Sequence, residues 1–441
     1  MTSLQDFSRT IAWDGLPDPV KRQAPLFLLD LVGIGIGGAQ TELSRIITRH
    51  ASGQFAGSHA IPFTDQTASA SGVALAAGMT IDALDGHDGF NPSKGHIGCG
   101  VFAGAVALAQ EAGLNSGQDF LEALIFGYEV GARLAITLHT TTPDYHTSGA
   151  WVAVAVAAVG ARMLGLSAAQ MAHAMGIAEY HGPRSQMMRC IDHPTMLKDG
   201  SGWGAMAGVS AVLLARDGFT GAPAITADGA AWADLGERWY CLEQYFKPYP
   251  VCRWAQPPIE AAMALRTAHG LSAAKIAAIE IETFHEATRL ATATPNNTEE
   301  AQYSTSFPCA VALVRGGIGP HDLSADALRD PEILRLSHAT TMTEDPHANE
   351  VFPLTRLARV TLALKDGRRL TSDWHQPRWD HDAPPTLSDL RAKFDGLAVP
   401  VLGKAGATTL AETILSLHNA PLAPLLSQLA QPMRRATTSS S

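Results

Sequence analysis

The segment Ala83-Leu84-Asp85-Gly86-His87-Asp88-Gly89-Phe90-Asn91-Pro92-Ser93-Lys94-Gly95-His96-Ile97-Gly98 lies between two apolar, Ala-rich runs. From Asp85 onward it places two carboxylates, two imidazoles, one ammonium group and four glycines within fourteen residues. A polar, Gly-rich segment between buried helices is a natural place for acid–base chemistry, because loops held by a rigid scaffold carry function more often than the scaffold does. The alternative is an ordinary connecting loop with solvated charges.

Working outward, apolar residues recur at helical spacing over 25–37, 70–84, 101–111, 119–138, 150–164 and 168–179. Ser167 before Ala168-Ala169-Gln170 reads as an N-cap, and 200–216 as a further Ala/Gly-rich helix. The character changes after about residue 270. Residues 276–284 alternate like a strand with one wet face. Residues 359–364 and 370–374 flank Lys365-Asp366-Gly367-Arg368, and Asp-Gly between two such runs signals a β-hairpin. Helical segments over 256–269 and 304–314 surround these strands, and 408–417 and 422–429 read as helices of the tail. The fold class is therefore mainly α with a second, α+β domain.

The chain has 441 residues, 46% hydrophobic and 17% charged, enough for a large core. A formal charge of −10 without a long basic run argues against nucleic-acid binding, which needs cations to neutralise phosphates. The most apolar run, 149–161, is closed by Arg162 and falls short of the roughly twenty residues of a membrane span. The first residues lack the basic-then-apolar layout of a signal peptide, so a cytoplasmic protein is expected. The five cysteines, Cys99, Cys190, Cys241, Cys252 and Cys309, are odd in number and form no CxxC pair. That argues against a disulfide framework and against a Cys-rich metal site.

Further clusters carry potential chemistry. Asp144-Tyr145-His146-Thr147-Ser148-Gly149 stands at a helix entrance, and His146 is a candidate general acid or base. In His193-Pro194-Thr195-Met196-Leu197-Lys198-Asp199-Gly200, Lys198 sits just ahead of a helix, against its dipole, a placement that makes sense if it binds an anion. A solvated lysine is the plainer reading. Tyr245-Phe246-Lys247-Pro248-Tyr249-Pro250-Val251-Cys252-Arg253-Trp254 holds two cations in a rigid, partly apolar wall. Cys252 is either a thiolate nucleophile activated by Arg253 or, the simpler alternative, a buried thiol. Thr305-Ser306-Phe307-Pro308-Cys309-Ala310 offers hydroxyls and N–H groups to a carboxylate, or caps a helix. His173, Glu179, His181 and Arg184 have no ligand spacing, and no metal site is read. Dinucleotide, P-loop and serine-hydrolase signatures are absent from the sequence.

The order of these clusters resembles the MmgE/PrpD family. Ala83-Leu84-Asp85-Gly86-His87-Asp88 falls where that family often has Leu-Asp-Phe-Asp-Asp-Thr, and His96-Ile97-Gly98 at its later His-Pro-Gly. Tyr145-His146-Thr147-Ser148-Gly149 is similar to its Phe-His-x-Thr-Gly, Lys198 to the lysine of Thr-Lys-x-Leu-His, and Phe246-Lys247-Pro248-Tyr249-Pro250 to Phe-Lys-x-x-Pro. There are departures. His87-Asp88-Gly89-Phe90 lacks the family's hydroxyl, Asp199-Gly200 replaces Leu-His, and Cys252 stands where decarboxylase-like members carry a histidine.

The resemblance implies a helical domain over 1–255 completed by 405–432, an α+β domain over 256–404, and a disordered tail over 433–441. It implies that Asp85, His96, His146, Lys198 and Lys247 line one catalytic pocket. Tyr145, Arg253, Cys252 and Phe307 are added as substrate-binding residues. The expected activity is a cofactor-independent lyase acting on a small di- or tricarboxylate, with no metal. Such chemistry needs a base beside a C–H bond and cations around carboxylates. An epimerase of an amino- or imino-dicarboxylate, and a non-catalytic helical binding protein, are the alternatives. The resemblance also implies a homodimer.

Overall fold

The computed structural model describes residues 3–324 and 326–433. The expected tail lies, from residue 434 on, outside the described residues. Helices dominate, with small sheets confined mostly to the second half.

The apolar runs of the first half fold as Asp18–Gly38, Ala70–Asp82, Gly98–Ala112, Gly117–Thr141, Gly149–Met163, Ala168–His181 and Ser201–Arg216. Ser167 caps its helix with a full capping box to Gln170. Ser201–Arg216 packs against both Gly149–Met163 and Ala70–Asp82. Small residues permit this close approach. A Cβ on Gly204 would meet the Gly149 carbonyl oxygen at 2.5 Å and its Cα at 2.8 Å. The starts of these two helices therefore touch through their backbones, and both carry site residues.

The C-terminal segment returns to this layer. Leu387–Leu415 packs along Asp18–Gly38, with Gly403 at φ 69° breaking its regularity. The helix expected over 408–417 is thus the second half of a longer, interrupted element. Its first half, with Phe394 against Gly33, was not anticipated. One core joins residues between Leu4 and Phe246 with residues between Leu390 and Met433.

A second core runs from Val251 to Leu364 and takes in Met187 and Ile191. Ile276–Thr283 pairs parallel with Thr340–Glu344 and antiparallel with Ala358–Leu364, which pairs antiparallel with Arg369–Thr371. The expected hairpin forms around Asp366-Gly367, with Gly367 at φ 90°. Helices Gln256–Ala268, Ser306–Arg315 and Pro331–His338 belong to this α+β layer. Ile276, Ile279, Ile281, Val360 and Leu362 face its core. Thr340–Glu344 is an edge strand of mainly polar residues, so no hydrophobic alternation marked it.

Among the described residues no single helix is long and apolar enough to cross a membrane. The bent pair Asp18–Gly38 and Glu42–Gln54 passes on length and composition, but the first of these lies packed in the helical core.

Candidate active site

The loop from Asp85 to Ile97 is pinned by a two-residue antiparallel pairing of Gly89–Phe90 with Gln244–Tyr245. This pairing carries the 245–254 segment against the loop and sets Lys247 on Asp85. The Lys247 Nζ donates to Asp85 Oδ1 at 2.7 Å and to the Asp85 carbonyl at 2.8 Å. Asp85 itself stands at φ 47°, a left-handed conformation that turns the chain at the end of the preceding helix. Burial opposes its charge, yet Lys247, His96 and Lys198 together hold its carboxyl below the ordinary value. Lys247 is affected in the converse way: burial is the largest influence and works against its charge, and Asp85, Tyr245 and Cys252 together outweigh it and raise it.

His96 faces the same carboxylate. Its Nδ1 lies 2.6 Å from the Asp88 carbonyl, which can only accept, so Nδ1 carries the proton and Nε2 a lone pair. That Nε2 is 3.6 Å from Asp85 Oδ1 and 3.8 Å from Asp199 Oδ2. Burial and the neighbouring Lys247 and His87 push the imidazole well below its ordinary value, so it is neutral at pH 7. The Ser148 hydroxyl accepts the His96 backbone N–H and donates to Asp199. Trp151 Nε1 donates to the His96 carbonyl at 2.9 Å, fixing the loop from the other side.

Lys198 enters from the turn before Ser201–Arg216, at φ 50°, followed by Gly200 at φ 67°. Its ammonium donates to Gln302 Oε1 and lies 5.0 Å from the Tyr303 ring centre. Gln302 in turn donates from Nε2 to the Ala83 carbonyl at 3.1 Å. Two lysines, one neutral histidine and two carboxylates thus converge between the helical layer and the second core. Asp85, His96, Lys198 and Lys247 are each 6% exposed or less, so this is a closed, water-poor site. A cleft of about 530 Å³ runs past Leu84, Met196 and Glu299, residues that neighbour Asp85, Lys198 and Gln302 in sequence.

The remaining expected residues differ in their surroundings. His146 is held locally: its Nδ1 lies against the Asp144 carbonyl and Thr142, and its backbone N–H donates to His139. Among the described residues no hydrogen bond or ion pair joins it to the four charged groups. Tyr145 is half-buried, donates to Glu286, and carries the Lys94 ammonium 3.8 Å over its ring. Arg253 is bound to Asp380 and to the carbonyls of Phe246 and Arg378, and lies 4.3 Å from the Tyr245 ring. It braces the 245–254 segment through these bonds, while its Nε finds no partner among the described residues. Phe307 is fully buried in the second core and its N–H is taken by Ser304. Cys252 is a buried thiol pushed up to about 12 by burial and the Asp85 charge, which removes the thiolate reading.

Sequence reasoning missed Ser148, Asp199, Gln302 and Tyr303 as site residues. Ser148 and Asp199 stand inside quoted clusters, and Gln302-Tyr303 falls just ahead of the Thr305 cluster. Their signal lay in tertiary placement, since a serine, an amide and a phenol carry no spacing rule.

Asp82, Asp85 and His87 bring ligand atoms within 4.8 Å of one another. Asp82 Oδ1 is 3.3 Å from His87 Nε2, and Asp85 already holds Lys247. An ammonium thus stands where a cation would be placed, and the set fits a charge network better than an ion.

A helical layer and an α+β layer thus enclose a buried lysine–histidine–carboxylate cluster. The chain belongs to the MmgE/PrpD family: the MmgE/PrpD N-terminal domain matches residues 2–238 and the MmgE/PrpD C-terminal domain residues 249–419. It is similar to cis-aconitate decarboxylase of Aspergillus terreus, at 24% identity over 378 residues that cover 76% of this chain and 75% of the relative. The cis-aconitate decarboxylase of Aspergillus terreus strain NIH 2624 / FGSC A1156 matches to the same extent. Family and relative together point to an enzyme of the dehydratase and decarboxylase kind.

Proposed function

We propose that this protein is a cofactor-independent lyase that dehydrates or decarboxylates a di- or tricarboxylic acid through a carbanion-like centre beside a carboxylate. The observation that carries this reading is the convergence of Lys198, Lys247 and the Nε2 lone pair of His96 in one closed site. Lys198 is capped by a neutral amide oxygen, which a substrate carboxylate displaces with a gain in charge pairing. Lys247 steadies the negative charge that develops on the substrate, working from a fixed position in a site from which water is excluded. His96 is the base. It is a weak one in the empty site, and a bound dianion brings negative charge beside it and raises its basicity.

A proton transfer without a leaving group, on an amino- or imino-dicarboxylate, is the second reading. It draws support from the two carboxylates that flank His96 Nε2. An NMR time course in D₂O with citrate-, aconitate- and aspartate-like acids separates the two. New alkene signals or released CO₂ support the lyase. Deuterium entering beside a carboxylate without either result moves the assignment to an epimerase. Silence across the panel counts against both.

The homodimer is proposed through the helical layer, where Trp203, Leu214, Phe219 and Tyr180 leave large apolar side chains exposed. Sedimentation velocity should give twice the chain mass, and Trp203→Glu should shift the protein to monomer.

A further inference from the structure

Among the described residues His146, the expected second proton carrier, makes no hydrogen bond or ion pair with Asp85, His96, Lys198 or Lys247, whereas Asp199 stands directly beside His96. Asp199 is fully buried on the turn that leads into Ser201–Arg216. Its Oδ2 accepts the Ser148 hydroxyl and lies 3.8 Å from His96 Nε2. Its Oδ1 has no hydrogen-bond partner among the described residues. A buried carboxylate oxygen without a donor is costly when ionised and cheap when it carries a proton.

The two carboxylates beside His96 are therefore not equivalent. Asp85 has an ammonium at 2.7 Å, whereas Asp199 has no cation at hydrogen-bond distance. Asp82, from the 70–82 helix, and Asp85, from the loop, both set negative charge against it. Lys247 acts on it only at longer range, and Lys198, its neighbour in sequence, is turned to Gln302. Cys190, Cys252 and Tyr303 face it as neutral groups, each raised by burial.

We propose that Asp199 is the proton donor of this site, paired with His96 as the base and aimed by Ser148. This rests on the lyase reading above. In a dehydration, His96 Nε2 takes the proton from carbon, and the electron pair left there forms the carbon–carbon double bond as the neighbouring C–O bond breaks. Asp199 gives its proton to the departing hydroxyl, which leaves as water. The proton on His96 then crosses to Asp199, and both groups return to their starting forms with no net proton gained or lost. Burial, Asp82 and Asp85 raise the Asp199 carboxyl to about 7 against the Ser148 hydrogen bond, a value suited to donation near neutrality.

The test starts on the protein alone. Infrared difference spectra between pH 5 and pH 9 should show a protonated carboxyl band that titrates near pH 7 and is missing from Asp199→Asn. Ser148→Ala removes the donor that favours the carboxylate, so the same band should titrate at higher pH. On substrate, Asp199→Asn should lower turnover by about a hundredfold or more and abolish the pH dependence near 7, while the calorimetric affinity for succinate stays within about twofold. Identical spectra for wild type and Asp199→Asn would overturn the assignment. So would a variant that keeps wild-type turnover, or one that loses succinate binding together with turnover. Because the spectra need no substrate, wild-type silence towards the acid panel counts against the lyase reading and leaves this test standing.

Discussion

Lys247 and Asp85 form an ion pair that neither water nor another cation can replace, because both side chains are buried. Removing one partner of such a pair strands a charge, at a cost of about 3–5 kcal/mol. Lys247→Ala should therefore lose that much stability in denaturant titrations and nearly all turnover. Adding Asp85→Asn should recover much of the stability and none of the activity. A full recovery of activity would remove the pair from the mechanism. Asp88 allows a pH prediction of known sign. Burial raises its carboxyl from 3.8 to about 6 in the folded protein, against the pull of His87. Its contribution to stability is fully present below pH 3.8 and is lost as pH rises through about 6. Wild type should lose stability relative to Asp88→Asn across that window, and the difference should level off above it. A flat difference in thermal unfolding would show that folding leaves the Asp88 carboxyl unshifted.

The helices that carry the site approach so closely that single methyl groups matter. Gly204 has the Gly149 backbone within 2.8 Å of where a Cβ would be, and neither backbone can yield cheaply. Gly204→Ala should cost about 1–3 kcal/mol by overpacking and shift Ser148 relative to Asp199. Gly396 is the contrasting case. It is exposed in the Leu387–Leu415 helix with nothing near its absent side chain, so Gly396→Ala should stabilise by about 0.5–1 kcal/mol. Thermal melts of the two variants should move in opposite directions. At this scale much was legible from the sequence. The Ala-rich runs, the Ser167 cap and the Asp366-Gly367 hairpin each follow from a local rule. Thr340–Glu344 and the first half of Leu387–Leu415 did not, since one is a polar edge and the other is patterned by its contact with a distant helix.

Across the whole molecule, the site is completed by side chains that begin far apart in the chain. Lys198 meets Gln302, Gln302 meets Ala83, and Asp85 meets Lys247. These bonds join the helical layer to the second core and to the segment that leads into it, so a ligand held by them bridges the two. A dicarboxylate that binds the closed form should stabilise the fold by mass action, about 2.7 kcal/mol at about a hundredfold its dissociation constant. Succinate should accordingly raise the melting temperature of the wild type, and Lys198→Met should abolish that rise. An equal rise in both proteins would place the binding elsewhere.

The sequence by itself determined the helical half, the α+β half and a loop rich in ionisable groups, because periodicity, caps and turns act over a few residues. The family pattern extended this to Asp85, His96, Lys198 and Lys247, which the fold brings together. Only the tertiary structure decided that Arg253 is bound to Asp380 and that Phe307 sits in the second core, and that Ser148, Asp199, Gln302 and Tyr303 stand within the site. Which charges share a buried space depends on how helices pack and on which carbonyl each ring meets. No spacing along the chain encodes that.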